Sequence, residues 1–407
     1  MYLKLAWLNL WRNKRRTIIA ITSVFYAVVL SVFMTSLQMG TMNQMVANVA
    51  GAYSGYIQVH QKGYWDDQSL DNSMVTNDAL ANTIKQAPNV DESVPRLQSF
   101  ALASSGNAIK GVMITGIDPI KERKLVNLEP KIIRGKYFGS DSEQSVILAS
   151  GLADYLKLKI NDTIVFLGQG YHGSSAAGKY IIKGIIKLVS PDLNKSMAFM
   201  PLKTAQALFS TPAMLSSYAI VIKDVDGIDR TLAYLKKNMD TSKYEVMDWK
   251  QMSPELDQAV KGKMASGSII EGVLYMIVAF GIFGTILMMT TERTYEFGVL
   301  VAIGMNRRRL ALVTALESLF MSFLGVLIGY VASMALVLYF VHYPIHMTGA
   351  LAKSYEQFGL APYIYTAFQF SIFYNQAIIV FVISVLICLY PLSKILKLKP
   401  VEAMHGE

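Results

Sequence analysis

The sequence is poor in charge and almost free of cysteine. Only 16% of its 407 residues are charged, whereas soluble domains carry roughly 25%. Cys388 is the single cysteine, which excludes an intrachain disulfide framework and a zinc site of the CxxC type. Hydrophobic residues make up 53% of the chain. This balance excludes an ordinary soluble protein and indicates one that lies partly in lipid.

Four stretches are apolar over the roughly 20 residues that a helix needs to cross a bilayer. They predict membrane spans at residues 17–39, 268–290, 310–342 and 374–392. The first follows three basic residues, as a signal peptide does. Its apolar core exceeds the roughly 7–15 residues of a signal sequence, so we predict a retained helix.

Basic residues flank these spans on one side only. They precede the first span, lie between the second and third, and follow the fourth: Arg12, Lys14, Arg15 and Arg16; Arg293 and Arg307 to Arg309; Lys394, Lys397 and Lys399. The positive-inside rule places all three groups, and both termini, in the cytoplasm. The net charge of +9 therefore orients a multi-pass membrane protein, and we predict no nucleic-acid partner.

The charges and spans predict a layout in nine parts. The fold class is an α-helical membrane protein with four transmembrane helices and a large α+β extracytoplasmic domain between helices 1 and 2. Besides the spans, the parts are a cytoplasmic N-terminus (1–16), the outer domain (40–267), a cytoplasmic segment (291–309), an outer loop (343–373) and a cytoplasmic tail (393–407).

Within the outer domain, alternating hydrophobicity predicts strands and 3.6-residue spacing predicts helices. The strands are Tyr56–His60, Gly111–Gly116, Asp162–Leu167 and Lys179–Val189, the last being one long strand or a bulged pair; the helices are Ser150–Leu158, Leu202–Phe209 and Ile228–Asn238. We expect a flexible loop at 168–178 and a linker at Val260–Ser268.

Motifs for chemistry are weak. Gly173–Lys179 spells GxxxxGK, but Tyr180 stands where a phosphate-binding loop needs Ser or Thr, and a strand follows. Pro344 separates His342 from His346, which makes one helical face for a metal doubtful. We therefore predict no catalytic residues, no metal site and no cofactor on this chain.

The segment 291–309 is amphipathic in its first half. Tyr295, Val299 and Ala302 can form one face of a short surface helix, and Gly304 can end it in a left-handed cap. The segment is either a plain connection or a surface that a soluble partner pushes.

Polar and small residues inside the spans are candidates for helix contacts. Glu317 lies about two turns into the third span, where an ionisable group is a functional candidate. We expect it to reach the cytoplasmic interface or to meet Arg308 or Arg309, and we rank a substrate role below this. Four glycines are expected to permit close helix packing, namely Gly281, Gly284, Gly325 and Gly329.

Several motifs resemble one family. Residues 292–304, ERTYEFGVLVAIG, closely resemble the motif after the second span of FtsX-like ABC permeases. Residues 391–403 resemble the closing Pro…Pro-x-Glu-Ala of that family, and residues 6–16 resemble its N-terminus. Three stretches of the outer domain, at 111–119, 133–138 and 146–163, are similar to the MacB-type periplasmic core. The resemblance covers nearly the whole chain.

The resemblance implies a type VII ABC permease, most like the LolC/LolE lipoprotein-releasing type, in a bacterial inner membrane. Such a permease is not itself an enzyme. A separate cytoplasmic ATPase subunit, which holds ATP and Mg, moves the helices and with them the outer domain (mechanotransmission). A second permease copy or a paralogue completes a dimer. The expected function is extraction or export of lipoproteins or other amphiphiles; the alternative is FtsX-like regulation of an envelope hydrolase.

The resemblance also implies site residues. Six residues are expected to dock the ATPase: Glu292, Arg293, Glu296, Phe297, Gly298 and Gly304. The loop with Gln169, Tyr171 and His172 falls where LolC carries a hook for a periplasmic carrier. It is either such a partner loop or a hairpin tip without a partner.

Overall fold

The computed structural model describes residues 2–397 except 13, 107, 189, 351, 353–354 and 356–361. The C-terminal motif, with Pro400 to Ala403, and most of the predicted tail 393–407 therefore lie outside the described residues, as does part of the predicted outer loop 343–373.

The described helices, in chain order, are α1 (Tyr2–Arg12), α2 (Lys14–Val46), α3 (Asp78–Gln86), α4 (Glu122–Leu125), α5 (Ser150–Leu156), α6 (Pro191–Ser196), α7 (Leu202–Leu208), α8 (Ile228–Asn238), α9 (Trp249–Met252), α10 (Pro254–Glu292), α11 (Thr294–Ala302), α12 (Arg307–His342) and α13 (Phe370–Leu396). A π-helix, Ala47–Ser54, follows α2.

The described strands are β1 (Ile57–Gln61), β2 (Met74–Val75), β3 (Val90–Ser104), β4 (Ile109–Ile117), β5 (Ile132–Gly135), β6 (Ser145–Ala149), β7 (Thr163–Gln169), β8 (Ser175–Ile186), β9 (Met197–Pro201), β10 (Met214–Leu215), β11 (Ser217–Ile222), β12 (Tyr244–Asp248), β13 (Ile345–His346) and β14 (Tyr363–Ile364).

The chain forms two compact units. The membrane unit comprises Met1–Gln44, Val260–His346 and Tyr363–Glu407, and the core domain comprises Met45–Ala259 with Met347–Pro362. Four helices of the described chain, α2, α10, α12 and α13, are long and apolar enough to cross a membrane. The predicted fold class, four spans with a large α/β domain inserted after the first, is thereby confirmed.

Helix packing in the membrane unit uses two of the four predicted glycines. A Cβ on Gly325 would lie 2.7 Å from the Cβ of Val24, and one on Gly329 would lie 2.9 Å from the Cβ of Val28. Only a hydrogen at these positions lets α12 approach α2 so closely. Gly281 and Gly284 have no such neighbour within 4 Å in the described structure, so the packing role predicted for them is wrong within this chain.

The predicted linker Val260–Ser268 is helical and continuous with the second span. α10 begins at Pro254 and runs without a break to Glu292. Proline suits the first helical position, and the acidic residues Glu255 and Asp257 in the first turn favour the helix start. Glycine inside a helix costs only about 1 kcal/mol, so Gly262 and Gly267 do not interrupt it.

The core domain is built around a closed ring of strands. The sheet order is β12-β1-β11-β3-β4-β9-β6-β8-β5, and β7 pairs with both β3 and β8. The strands β3, β4, β9, β6, β8 and β7 therefore close into a six-stranded barrel. The barrel interior holds a large apolar cluster that includes Leu97, Ile114, Leu148, Phe166 and Ile182, because alternate side chains of each strand point inwards.

The strand β3 joins the barrel to an open sheet. Its first half pairs with β11, from Val90 to Arg96, and its second half pairs with β7, from Ala101 to Ser104. β1 and β12 extend the sheet beyond β11. A strand of 15 residues is long enough to serve both parts.

A buried ion pair holds the start of the core domain to this sheet. Arg96 in β3 pairs with Glu122 in α4, and both side chains are almost fully buried. The Arg96 guanidinium also donates to the carbonyl of Tyr53 at the end of the π-helix. The Tyr53 hydroxyl accepts from Gln98 Nε2 (2.6 Å), and burial raises the pKa of Tyr53.

The local predictions for the core domain are accurate where periodicity is strong. α8 has the predicted bounds, Ile228–Asn238. Of the predicted segment Lys179–Val189, the part up to Ile186 belongs to one long strand, β8, which begins earlier, at Ser175. Opposite it, the register with β6 shifts between Val146 and Ile147, and Val189 lies outside the described residues. Because β7 and β8 pair as far as Gln169 and Ser175, the loop predicted at 168–178 is only a tight turn.

Candidate functional site

A short helix and a glycine turn join the second and third spans. α11, named here the coupling helix, is followed by Gly304 with a φ of +108°. This conformation lets the Met305 N–H donate to the Leu300 carbonyl (3.0 Å), so glycine closes the helix as predicted. Asn306 Oδ1 then accepts from the Arg308 N–H (2.9 Å) and caps α12.

The coupling helix buries one side against the membrane unit. Phe297 and Gly298 are buried, and Phe297 packs in a cluster with Leu310, Ala311 and Ile395. Tyr295 and Ile303 are 62% and 79% exposed. Contacts with α12 and α13 therefore bury the Phe297 side. The face predicted to lie along the membrane surface has Tyr295 and Ala302 exposed and Val299 partly buried, and its contact with the membrane stays a prediction.

The two acidic residues predicted to dock a partner are already paired with arginines. Glu292 at the end of α10 pairs with Arg16 in α2 (2.5 Å). Glu296 in the coupling helix pairs with Arg12 at the end of α1 (2.9 Å). The coupling helix and the end of α10 are thus tied to both helices of the N-terminal segment.

Glu317 lies at the centre of this arrangement. It is 4% exposed and pairs with Arg293, the residue that precedes the coupling helix. Its other oxygen accepts from Asn9 Nδ2 of α1 (2.6 Å). Arg293 also lies 5.4 Å from the ring centroid of Phe297. The partners proposed from the sequence, Arg308 and Arg309, are wrong, since Arg293 and Asn9 occupy the carboxylate.

Arg293 also lies 3.6 Å from Glu296, so the ion pairs of these two residues are linked. The Arg16–Glu292 pair belongs to the residue next to Arg293 in the chain. We call the whole set the ion-pair network. Its members are Asn9, Arg12, Arg16, Glu292, Arg293, Glu296 and Glu317. It joins α1, α2, α10, the coupling helix and α12. Three arginines face three glutamates, so the network is neutral, and a buried charge is tolerated when it is paired and hydrogen-bonded. Sequence analysis named the three glutamates as candidate functional residues. It did not predict Asn9 or Arg16 as their partners.

A second polar cluster lies in the membrane unit, among residues that sequence analysis left unassigned. Glu271 Oε1 in α10 accepts from Thr35 Oγ1 of α2 (2.8 Å), Tyr275 OH (2.9 Å) and Gln376 Nε2 of α13 (2.5 Å). The cluster links three spans. The sequence feature that could have indicated this cluster is Glu271 itself, because an ionisable residue in an otherwise apolar span is a functional candidate.

The predicted partner loop lies in the core domain as the β7–β8 turn. Gln169 ends β7 and is exposed. The Tyr171 N–H donates to the Phe209 carbonyl (2.9 Å), and the His172 N–H donates to Asp71 Oδ1 (2.8 Å). Both hydrogen bonds hold the turn against neighbouring loops. His172 has a φ of +51°, a conformation that a tight turn imposes.

An apolar strip covers the outside of the barrel next to this turn. The strip consists of exposed large side chains on β3, β4, β7 and β8: Phe100, Leu102, Ile109, Leu167 and Ile181. Leu102 lies opposite Leu167, and cross-strand neighbours share one face of a sheet. Sequence analysis missed this surface because strand register cannot be read from one strand alone.

Two family models match the chain, and together they span most of it. Residues 17–238 match the MacB-like periplasmic core domain. Residues 268–400 match the FtsX-like permease C-terminal region. The chain belongs to the FtsX-like permeases with a MacB-like periplasmic core domain.

Similar proteins include both kinds of permease named in the expectation. LolC of Neisseria meningitidis, a lipoprotein-releasing system transmembrane protein, is 22% identical over 60% of this chain and 60% of its own length. LolE of Haemophilus influenzae is 21% identical over 80% of each chain. MacB of Brucella abortus, a macrolide export ATP-binding/permease protein, is 23% identical over 80% of this permease but 51% of its own length. The permease thus spans less than two thirds of LolC of Neisseria meningitidis and of MacB.

Proposed function

We propose that this permease couples ATP hydrolysis by a cytoplasmic ATPase subunit to movement of its core domain on the other side of the membrane. In this proposal the network end of the membrane unit faces the cytoplasm, as the basic residues at the span ends indicate. ATP and Mg are held by the ATPase, and the permease contributes the moving parts. A second copy or a paralogue completes the transporter.

One observation supports this proposal above the others, the ion-pair network around the coupling helix. A helix on which the ATPase acts must pass the force on to the membrane spans. The coupling helix is tied through Glu296 to α1, and through Arg293 and Glu292 beside it to α12 and α2. Movement of this helix therefore acts on three other helices at once, two of which are membrane spans.

We propose other residues for the contact with the ATPase than the six expected from the resemblance. Phe297 and Gly298 are buried inside the permease, and Glu292, Arg293 and Glu296 are committed to the network. The free surface of the coupling helix is apolar instead, with Tyr295, Leu300 and Ile303 exposed. We propose that these side chains enter a pocket of the ATPase and that the predicted residues transmit the force behind them.

The proposed substrates are lipoproteins or other amphiphiles. Two of the similar proteins are named for lipoprotein release and another for macrolide export. On the core domain, the apolar strip beside the β7–β8 turn is a surface that an outer carrier protein can cover. Gln169, Tyr171 and His172 would border such a contact.

The experiment is ATPase stimulation in nanodiscs that hold the permease with its ATPase subunit. We expect Glu296→Lys to insert and assemble normally but to lose substrate-stimulated ATP hydrolysis and substrate release. Glu255→Lys, an equal charge change at an exposed position of α10, is the matched control and should behave as wild type. Normal release by the Glu296 variant would reject the proposal. A purified complex that contains an envelope hydrolase and releases no amphiphile would favour the regulatory alternative.

A further inference from the structure

A groove separates the third and fourth spans at the network end of the membrane unit. It has a volume of about 470 Å³. Ala311, Ala315 and Leu319 of α12 and Leu392 and Leu396 of α13 form its apolar wall, and Arg308 lies at its mouth. Alanines at positions 311 and 315 lie one above the other on a helix, and their small side chains leave the space open.

The length of the groove corresponds to one leaflet of a bilayer. Arg308 and Leu319 are eleven residues apart in α12, which corresponds to a helix rise of about 16 Å. The hydrocarbon core of a bilayer is about 30 Å thick. An acyl chain whose headgroup rests at Arg308 therefore ends near Leu319, at the middle of the membrane.

The mouth of the groove carries positive charge that no described carboxylate neutralises. Arg307, Arg308 and Arg309 are exposed, and none of them forms an ion pair with a residue in the described ranges. The acidic residues of the neighbouring helices are bound elsewhere, Glu292 to Arg16, Glu296 to Arg12 and Glu317 to Arg293. Lys394 and Lys397 add charge at the same end of α13.

We propose that this groove is a binding site for one anionic phospholipid, with its phosphate on Arg308 and one acyl chain along the alanine side of α12. A guanidinium binds a phosphate through two parallel hydrogen bonds, and basic pockets between spans recognise anionic headgroups. The bound lipid sits against Ala311, which packs with Phe297 of the coupling helix. Its site therefore adjoins the part that the proposed function sets in motion.

The positive charge at the groove favours an anionic phospholipid over a second copy of the permease. A symmetric contact through this groove would bring two triple-arginine segments together, and like charges at a buried contact are destabilising. An anionic lipid neutralises the same charges instead. The location in the cytoplasmic leaflet rests on the orientation given under Proposed function, but binding itself needs neither ATP nor the ATPase.

The test is native mass spectrometry of the detergent-solubilised permease incubated with phosphatidylglycerol or phosphatidylcholine. We expect one retained phosphatidylglycerol and a clear preference over phosphatidylcholine. Arg308→Gln should lower phosphatidylglycerol retention about fivefold, since one basic residue contributes about that factor. Arg309→Gln removes the same charge from a residue outside the groove lining and is the matched control. Excess inorganic phosphate should not displace the lipid.

A second variant tests the acyl-chain part of the site. Ala315→Leu fills the groove without touching Arg308 and should reduce retention of phosphatidylglycerol to the level of Arg308→Gln. Equal retention of the two lipids by wild type would overturn the proposal, as would equal losses in the Arg308 and Arg309 variants. If Ala315→Leu keeps the lipid but breaks up a dimer, the groove is a protein interface and the lipid site is rejected. Because no ATP is present, none of these outcomes depends on transport.

Discussion

Arg293 and Glu317 form an ion pair between the residue that precedes the coupling helix and the first third of α12, and only 13% and 5% of their side chains remain exposed. Few charges in the membrane unit are so well removed from solvent. The pair links the residue between α10 and the coupling helix to α12. Two predictions follow for this region, one about the stability of the permease and one about coupling to the ATPase.

The stability prediction concerns removal of one partner. Glu317→Gln removes the buried counter-charge of Arg293 and leaves it only the half-exposed Glu296, 3.6 Å away. Breaking a buried ion pair costs up to about 3–5 kcal/mol. We expect a marked drop in the unfolding temperature of the detergent-solubilised permease. Replacing both residues, Arg293→Met with Glu317→Leu, should recover most of the loss, because a buried pair can be exchanged for apolar side chains at little cost. If the single variant unfolds at the wild-type temperature, the pair does not hold the coupling helix.

The Glu271 cluster should hold three spans together. Leucine at position 271 removes the acceptor for Thr35, Tyr275 and Gln376, and a hydrogen bond to a charged group contributes about 1.5–3 kcal/mol. We expect Glu271→Leu to lower the unfolding temperature by more than Thr35→Val does. Asn375→Ala changes an exposed neighbour of Gln376 and serves as the control. An unfolding temperature for Glu271→Leu equal to that of the control would contradict the cluster.

Gly325 should tolerate no larger residue. A Cβ there would lie 2.9 Å from the Ile21 carbonyl oxygen as well as against Val24, so Gly325→Val must push α2 from α12. Overpacking of this kind costs about 1–3 kcal/mol. Gly281→Val has open space around it and should leave the permease monomer unchanged. Thermal unfolding of both variants in detergent measures the difference, and equal stability would show that α2 and α12 do not pack as described.

His60 should make the core domain sensitive to acid. It is fully buried, its ring stacks on Tyr64 at 5.5 Å, and burial lowers its pKa from 6.5 to about 4. In the folded domain His60 stays neutral until the pH falls to about 4, whereas in the unfolded chain it binds a proton near pH 6.5. Stability is therefore undiminished above that pH, falls as the pH drops towards 4 and then levels off, with a total loss of about 3 kcal/mol.

Urea unfolding of the permease at pH 7 and pH 4.5, followed by tryptophan fluorescence, measures this effect. His60→Phe should remove much of the difference between the two pH values. His172→Gln, at an exposed turn, should keep it. A difference that survives in the His60 variant would assign the acid sensitivity to other groups.

The sequence predicted the elements whose signal is local. The four spans follow from apolar length, α8 from helical spacing, and the glycine that ends the coupling helix from its position after an apolar run. The coupling helix follows from the amphipathic first half of residues 291–309, and the family resemblance added its expected role. In each case neighbouring residues in the chain carry the information.

The features of the fold and the site that were not predicted depend on contacts between segments far apart in the sequence. Asn9 and Glu317 are 308 residues apart, and nothing in either segment indicates the other. The barrel closes because β7 reaches β3, a pairing that alternation within each strand cannot specify. The burial of Phe297 in the coupling helix has the same origin, since residues of α12 and α13 cover it.

Charge reversal at Arg12 and Glu296 tests the central claim most directly, which is that the coupling helix acts through its ion pairs. These side chains are 60% and 44% exposed, so their pair adds only about 0–1 kcal/mol to stability and the variants should fold. In nanodiscs with the ATPase, we expect Arg12→Glu and Glu296→Lys each to lose substrate release while the double variant recovers most of it. Release by both single variants at the wild-type rate, or a double variant as inactive as either single one, would contradict the account.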